Sequence, residues 1–154
     1  MTSVLGDTST SRCQFYRRVC ALPAVVRPDS GQIVFRAGSV GAITMPAVLG
    51  SQVRIHLTGR NHSAGGVISH PRSKRWTFLI CPDVPDEVSL FCELFRCNVT
   101  LACVGAEIAL PAPRAADDAF RVWVDEPTNP FRPSGMTVIE SVRACAAMGS
   151  GRHG

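Results

Sequence analysis

Alternating apolar and polar positions indicate that much of the chain forms β-strands. Short runs rich in β-branched and other apolar residues, several of them bounded by glycine or proline, are typical of half-buried strands. Runs of this kind cover residues 31–38, 40–46, 99–104, 107–110 and 120–124, and two more lie within residues 66–80. The pattern therefore predicts seven strands, of which the pair within 66–80 forms a hairpin.

Three segments carry the spacing of amphipathic helices instead. In residues 46–57 apolar side chains recur every four positions behind a proline, which a first helical position tolerates. Residues 85–97 begin with acids, which suit the positive end of a helix, and a third helix is predicted to begin near Ser134 as its N-cap. The predicted apolar faces are Leu49, Val53 and Leu57 in the first helix, Val88, Phe91, Leu94 and Phe95 in the second, and Val138, Ile139, Val142 and Cys145 in the third.

The order of these elements predicts an α+β fold. It reads strand, strand, helix, two strands, helix, three strands, helix, and a mainly antiparallel sheet with helices packed on one side accommodates it most simply. We expect a single domain over residues 31–148. Residues 1–30 are polar and interrupted by prolines, so they are predicted to form an N-terminal arm that is partly flexible, and residues 149–154 a flexible tail.

The composition supports a folded domain and narrows the choice of partner. Of 154 residues, 45% are hydrophobic and 18% are charged, which argues for a core that needs no disulfide or metal. The net charge of +4 is compatible with an anionic partner but lies below that of strongly basic nucleic-acid-binding proteins. No apolar run approaches the roughly 18 residues of a membrane helix and no secretory leader is recognised, so we expect a cytoplasmic protein with no membrane contact.

The seven cysteines predict reduced thiols and not a metal or disulfide framework. They are odd in number and contain no CxxC pair, whereas zinc ligands usually occur as close pairs. We therefore expect no metal site and no cofactor, with most of the thiols packed as small apolar side chains. Cys92, Cys97 and Cys103 are the alternative, since they could meet around zinc if the chain folds back there.

The most informative segment is the loop within residues 66–80. Two strand-like runs flank a basic turn, and a loop of that composition can hold phosphate. The candidate phosphate-binding or nucleic-acid-binding residues are His70, Arg72, Ser73, Lys74, Arg75 and Trp76. Two interpretations stay open: the turn binds an anion, or it is basic only because exposed hairpin tips are polar. The Trp76 ring is likewise either a stacking platform for bases or, together with Phe78 and Ile80 on one face of a strand, core packing.

No complete catalytic motif occurs in the chain, so no catalytic residue is predicted. The phosphate-binding pattern GxxxxGKS/T, the nucleophile pattern GxSxG and the zinc pattern HExxH are all missing. Cysteine–histidine catalysis requires a thiolate beside an imidazole, and the one pairing to test is Cys81 with His70. Asp125 and Glu126 are consecutive carboxylates near a strand end, but adjacent strand residues point to opposite faces, which favours a solvated turn over a metal site.

Four strings in a fixed order resemble a known family. They are GAITMPAVLGSQVRIHL, GGVISHPRSKRWTFLI, VGAEIALPAP and FRVWVDEP, within residues 31–127. This order resembles the core of the N-terminal domain of bifunctional primase–polymerases, in the archaeo-eukaryotic primase superfamily, and in particular its reduced actinobacterial versions. The resemblance implies the family's α+β fold, and the last two strings match structural parts of that fold.

The same resemblance argues against the family's enzymatic activity. In that family the strand that matches residues 40–45 carries paired acids, which bind two divalent metals for nucleotidyl transfer, and here this strand contains no acid. The family grips nucleotide phosphates with a turn that matches residues 69–75, although Trp76 stands where the family has a histidine. The resemblance therefore implies a primase–polymerase-like domain without the metal-binding acids.

Two functions follow as hypotheses. The first is a non-catalytic binding module that recognises nucleotide or single-stranded nucleic acid through the basic hairpin. The second is a protein-interaction or assembly domain in which the basic turn is incidental, and a residual nucleotidyl transferase ranks third because the acids are missing. Four nearby acids separate the first two hypotheses, because acids beside the hairpin would cancel its field. These acids are Asp83, Asp86, Glu87 and Glu93.

Overall fold

The strands of the computed structural model, which describes residues 8–113 and 121–151, pair into two antiparallel sheets. The larger sheet has the order β6-β3-β5-β4-β8, and the smaller has the order β1-β2-β7. The strands are β1 (Val25–Val26), β2 (Ile33–Arg36), β3 (Gly41–Pro46), β4 (Val67–His70), β5 (Arg75–Ile80), β6 (Thr100–Leu101), β7 (Glu107–Leu110) and β8 (Val122–Asp125). The predicted α+β class with mainly antiparallel strands is confirmed, although the strands form two sheets and not one.

Four helices occur in the part of the chain that the structure describes. They are α1 (Ser9–Arg18), α2 (Ala47–Gly59), α3 (Val88–Arg96) and α4 (Gly135–Gly151). Val53 and Leu57 of α2 are fully buried, and so are Val138, Ile139 and Val142 of α4. The apolar stripes predicted for these two helices therefore face the core, as their spacing of three or four residues indicates.

The first core cluster fills the space between the five-stranded sheet and the helices α2, α3 and α4. Ile43 of β3 and Phe78 of β5 face these helices, and Leu57, Leu94 and Val142 meet them from α2, α3 and α4 in turn. Burying a side chain of this size contributes roughly 1.5–3 kcal/mol. This cluster therefore holds three helices on one face of the sheet.

A second core cluster covers the opposite face of the same sheet. Ile68 of β4 and Leu79 of β5 pack there with Phe35 of β2 and Leu110 of β7, and α1 contributes the fully buried Tyr16. Helices cover one face of the five-stranded sheet, as predicted. The small sheet and α1 cover the other face, which was not predicted. Because both faces of β5 are covered, its last four residues are all buried and do not alternate.

Residues 8–30 are a folded part of the domain, whereas an arm was expected over residues 1–30, of which residues 1–7 lie outside the described part of the chain. α1 begins at a capping box, in which the Ser11 N–H donates to Thr8 Oγ1 over 3.1 Å and the Thr8 N–H donates to Ser11 Oγ over 2.9 Å. β1 then pairs with β2. The helix escaped prediction because it buries only Cys13 and Tyr16 and is otherwise polar, so its apolar periodicity is weak.

Three further boundaries differ from the prediction. The strand expected over residues 99–104 is reduced to the two residues of β6, at the edge of the larger sheet. The strand expected over residues 120–124 is β8, which begins at Val122, and the first residue of that range lies outside the described residues. α4 continues to Gly151, so the first half of the expected tail at 149–154 is helical, and its remainder lies outside the described residues.

α3 buries Leu94 as predicted, but the rest of its buried face differs from the prediction. Leu90 and Leu94 face the first core cluster, whereas Val88 and Phe95 are each 76% exposed and Phe91 is 37% exposed. The helix carries more apolar residues than one buried face can hold, and the packing of the sheet and α4 beside it selects the leucines. The apolar side that faces away from the core borders a groove.

All seven cysteines are free thiols. Cys13, Cys20 and Cys145 are buried, and burial raises the pKa of each of these thiols, so they act as small apolar side chains. Within the described residues, no group of His, Cys, Asp and Glu is placed to hold a metal, so the three cysteines considered as a zinc set are not brought together. The same residues contain no helix with the length and apolar character to cross a membrane.

Candidate functional site

The basic turn between β4 and β5 is a tight loop of four residues. Residues 71–74, the hairpin tip, connect the strands, and the Lys74 N–H donates to the Pro71 carbonyl over 3.3 Å. Lys74 has a φ of 56°, a left-handed conformation that closes many hairpins. Arg72, Ser73 and Lys74 are all exposed. The tip therefore presents two cationic side chains to solvent, and the exposed Ser73 hydroxyl donates to the His70 carbonyl over 3.4 Å.

Arg75 lies opposite His70 in the strand register and is partly committed to the fold. Its Nη2 donates to the Thr44 carbonyl over 3.2 Å and to the Asn98 carbonyl over 3.0 Å. These bonds tie β5 to β3 and to the turn that follows α3. Its Nε and Nη1 have no hydrogen-bond partner among the described residues, so part of its donor capacity is available to an anion.

A row of polar side chains crosses the three inner strands beside the hairpin tip. His70 Nε2 lies 2.9 Å from Thr77 Oγ1, which lies 3.0 Å from Thr44 Oγ1. Thr77 is buried, so the row is held in place by the sheet. Two-metal sites are built from bridging carboxylates and not from hydroxyls such as that of Thr44. The row therefore orients His70 without supplying a carboxylate.

Trp76 lies on the opposite face of β5 and packs against α2. Its neighbours Arg75 and Thr77 point to the other face, as strand alternation requires. A Cβ atom added to Gly50 of α2 would lie 3.0 Å from both Cβ and Cε3 of Trp76, so the ring rests directly on the helix backbone. The side chain is half-buried at the edge of the first core cluster. This contact favours the packing interpretation of Trp76 over a base-stacking platform.

The hairpin tip is docked on the N-terminus of α2. The Ala47 N–H donates to the Lys74 carbonyl over 2.9 Å. Pro46 is the N-cap and provides no side-chain cap, and the first turn of α2 contains no acidic residue. Because a helix N-terminus carries about half a positive charge, it adds to the positive field of Arg72 and Lys74.

Asp83, Asp86 and Glu87 lie at the far end of the sheet from the hairpin tip. The tip precedes the first residue of β5, and Asp83 follows its last, with the strand between them spanning about 20 Å. Asp86 and Glu87 precede α3, whereas the opposite end of α3 reaches Arg75 through the Asn98 carbonyl. The separation is about two Debye lengths at physiological salt, so these acids leave the field of the tip largely intact.

Two of the acids are engaged within the fold. Asp83 accepts the Gly135 N–H over 2.7 Å and the Ser134 hydroxyl, and so caps α4. Desolvation raises the pKa of Asp83, but these hydrogen bonds together outweigh it and lower the pKa. Glu93 accepts two hydrogen bonds of 2.8 and 2.9 Å from Arg143, which lower the pKa of Glu93. Both carboxylates therefore form contacts that hold α4 in place.

Comparison with known proteins identifies no relative of this chain. No family model matches the chain, and neither a curated protein nor a solved structure matches it at a significant level. The resemblance to primase–polymerase domains stays a prediction that rests on four sequence strings. The function has to be argued from the site itself.

Two other sites considered from the sequence are not formed. Cys81 follows the end of β5, whereas His70 pairs with the first residue of that strand, so the thiol and the imidazole lie at opposite ends. Asp125 binds Arg54, with Nη2 and Oδ1 2.8 Å apart, and Glu126 binds an arginine of α1, also over 2.8 Å. The two carboxylates therefore have separate partners and do not share a metal.

The sequence patterns missed an apolar groove beside α3. It has a volume of about 660 Å³ and lies between α3, the end of β5 and the segment around β6. Its apolar lining includes Ile80, Phe91, Leu94, Phe95, Leu101 and Val104. The signal that could have revealed it is the surplus of apolar residues in α3, since one buried face of a short helix accommodates only some of them.

Proposed function

We propose that the protein is a non-catalytic binding module that recognises the phosphates of a nucleotide or of single-stranded nucleic acid at the hairpin tip. The observation that carries this proposal is the state of Arg72 and Lys74. Both are exposed, and neither side chain has a hydrogen bond or an ion pair with a described residue. The N-terminus of α2 lies behind Lys74 and adds to the attraction for an anion.

Four arginines elsewhere on the surface are neutralised by the fold. Arg12, Arg27, Arg54 and Arg143 each form an ion pair with a carboxylate. A paired guanidinium attracts phosphate less than a free one, because the carboxylate opposes its field. The contrast supports the hairpin tip as a place where positive charge is kept available, and Arg75 adds donors beside it.

The geometry of the tip favours phosphate contacts over base recognition. Phosphate contacts position a nucleic acid without reading its sequence. Trp76, the aromatic residue next to the tip in sequence, packs on Gly50 and supplies no free stacking face from that side. A site built from Arg72, Lys74 and the Ser73 hydroxyl is therefore expected to bind without sequence preference and with a strong salt dependence.

The composition of β3 supports binding without catalysis. Two-metal nucleotidyl transfer needs bridging carboxylates, and β3 carries none, with Thr44 joined instead to Thr77. The resemblance to primase–polymerase domains supports the same proposal, because it retains the phosphate-gripping turn and lacks the metal-binding acids.

The test removes the two cations of the hairpin tip and measures binding at two salt concentrations. Fluorescence anisotropy with labelled single-stranded DNA and RNA gives the affinity of each variant. Arg72→Ala combined with Lys74→Ala should weaken binding to every sequence and lower the slope of log K against log salt by about 1.4, because each single-strand phosphate contact contributes about 0.7. Arg75 is kept, since it also binds backbone carbonyls. Stability should change by less than about 0.5 kcal/mol per substitution, because both side chains are exposed.

The matched control is Arg17→Ala combined with Arg18→Ala, which removes the same charge from the exposed end of α1. This variant should retain the affinity of the parent protein. The proposal is wrong if the parent binds neither nucleic acid nor nucleotide, if the hairpin variant binds as the parent does, or if the control weakens binding equally. In each case the protein-interaction hypothesis takes its place.

A further inference from the structure

A polar cleft lies at the C-terminal end of α2. It has a volume of about 680 Å³, and its walls come from residues 58–65, which end α2 and lead to β4, and from residues 125–131, at the end of β8 and after it. The hairpin tip docks on the opposite end of α2, a helix of 13 residues that spans about 20 Å. The cleft is therefore separate from the hairpin tip.

The two walls of the cleft are held together by the fold. A Cβ atom added to Gly65 would lie 2.8 Å from Pro133 Cδ, so the loop before β4 packs directly on the segment after β8. Within each wall a hydrogen bond fixes the loop. The Gly65 N–H donates to Ser63 Oγ over 3.1 Å, and the Phe131 N–H donates to Asn129 Oδ1 over 2.8 Å. These contacts give the cleft a fixed shape, as in most small-molecule sites.

The charged side chains of the cleft are paired. Arg54 donates to Asp125 through two hydrogen bonds of 2.5 and 2.8 Å, and Glu126 accepts one of 2.8 Å from Arg12. No other Asp, Glu, Lys or Arg occurs among the described residues that line the cleft. An anion is attracted by unpaired cations and a metal ion by unpaired carboxylates. The cleft therefore favours a ligand without net charge.

The paired carboxylate of Asp125 keeps acceptor positions for a ligand. An ionised carboxylate accepts about four hydrogen bonds, and Asp125 accepts two from Arg54. The side-chain amides of Asn61 and Asn129 add donors to the same cleft. Because a hydroxyl group both donates and accepts, a ligand with several hydroxyls matches this mixture of polar groups.

The cleft also has one exposed aromatic ring. Phe131 lines it and is 49% exposed. A sugar ring carries hydroxyls around its edge and weakly positive C–H groups on its faces, and such a face can lie against the negative face of an aromatic ring. A nucleobase also stacks on a ring, but its donors lie only at the edge of one plane. Sugar hydroxyls surround the ring and rotate, and hydroxyl donors form short, strong bonds with carboxylates.

We propose that this cleft is a binding site for a neutral sugar. The sugar ring stacks on Phe131, and its hydroxyls bond to Asn61, Asp125 and Asn129. Arg54 holds the Asp125 carboxylate in place and cancels its charge, so that Asp125 accepts from a neutral ligand without attracting a cation. The proposal is independent of phosphate binding at the hairpin tip, because the two sites share no residue.

Saturation-transfer-difference nuclear magnetic resonance on the full chain measures weak binding of this kind. The probes are glucose, galactose, mannose and ribose, and the free bases uracil and adenine are included for comparison. At least one sugar should bind with a dissociation constant of about 1 mM, the range expected for a ligand of this size. The signal should be equal at low and high salt, because the cleft carries no net charge.

Two substitutions remove the two kinds of contact. Phe131→Ala should weaken sugar binding about fivefold or more, because the stacking face is lost. Asn61→Gly should weaken it several-fold, because the amide is lost. Asn61 has a φ of 63°, which glycine adopts without strain, so this variant keeps the fold. Phe95→Ala is the matched control, since it removes a largely exposed phenylalanine of α3 that does not line the cleft, and it should bind as the parent does.

Circular dichroism establishes that each variant is folded before its binding is compared. The proposal is overturned if no sugar gives a signal at about 10 mM, well above the expected dissociation constant. It is also overturned if Phe131→Ala or Asn61→Gly binds as the parent does, or if Phe95→Ala weakens binding equally. Uracil or adenine that binds while no sugar does, and that loses its signal in Phe131→Ala, assigns the cleft to a planar base and excludes the sugar.

Discussion

Replacing Tyr16 by phenylalanine tests whether α1 is an integral part of the domain. The buried Tyr16 hydroxyl donates to the Pro111 carbonyl over 2.6 Å and accepts the Trp123 Nε1–H over 3.0 Å. These bonds join residues 95 and 107 positions apart in the sequence. A phenylalanine keeps the edge-to-face ring contact with Trp123 and removes only the hydroxyl. The substitution therefore isolates the two hydrogen bonds.

The free energy of unfolding of Tyr16→Phe should be lower by about 2–3 kcal/mol, because each buried polar group left without a partner costs about 1–3 kcal/mol. Pro111 is buried, so its carbonyl loses its hydrogen bond without access to water. Trp123 is half-buried, so its N–H can regain a water molecule and its contribution lies near the lower limit. A loosely attached arm would show almost no change.

The pH dependence gives a second measurement of the same contact. Burial raises the pKa of Tyr16 above its ordinary value of 10.0, so the folded protein keeps a phenolic proton that the unfolded chain loses. The associated stability is fully present below pH 10.0 and is lost as the pH rises above it. Tyr16 is the one tyrosine in the chain, so the ultraviolet absorbance of tyrosinate reports this group alone.

Urea denaturation followed by circular dichroism measures both effects. We expect the stability of the parent to fall above pH 10.0 together with the appearance of tyrosinate, and the fall to be shallower in Tyr16→Phe. Two results would refute the buried network. One is a loss of less than about 0.5 kcal/mol at neutral pH, the size of an ordinary surface substitution. The other is a tyrosinate signal that titrates at the ordinary pKa while the protein stays folded.

Two further substitutions test the caps and contacts around the helices. Asp83→Asn should lower the unfolding free energy by about 0.3–1 kcal/mol at neutral pH, because the amide oxygen can still accept from Gly135 but the negative charge at the N-terminus of α4 is lost. The fold lowers the Asp83 pKa, so this contribution is present above pH 3.8 and lost as the pH falls further, and acid denaturation curves that stay separated would contradict it. Gly50→Ala should destabilise the protein by about 1–3 kcal/mol, because the new methyl group meets Trp76. Gly59→Ala on the same helix meets nothing within 4 Å and should be neutral or stabilising, and equal melting temperatures for the two variants would contradict the close contact.

Local sequence patterns were sufficient to predict the hairpin, α2 and the start of α4. The hairpin within residues 66–80 and the helix α2 follow from apolar periodicity and from glycine and proline positions within each segment. The start of α4 at Ser134 follows from its cap. The exposure of the basic tip was predictable for the same reason, because its polar residues lie between two strand-like runs.

Only the tertiary structure decided which surfaces meet. α3 could bury Phe95 or Leu90 by its own periodicity, and the packing of the sheet and α4 selects Leu90. The polar segment of α1 belongs to the core only because Tyr16 reaches Pro111. The hydrophobic effect is not directional, so an apolar residue gains the same free energy on any face that is covered. Which face is covered depends on how whole elements pack. These partners lie far apart in the chain, where the pattern around one residue carries no information about the other.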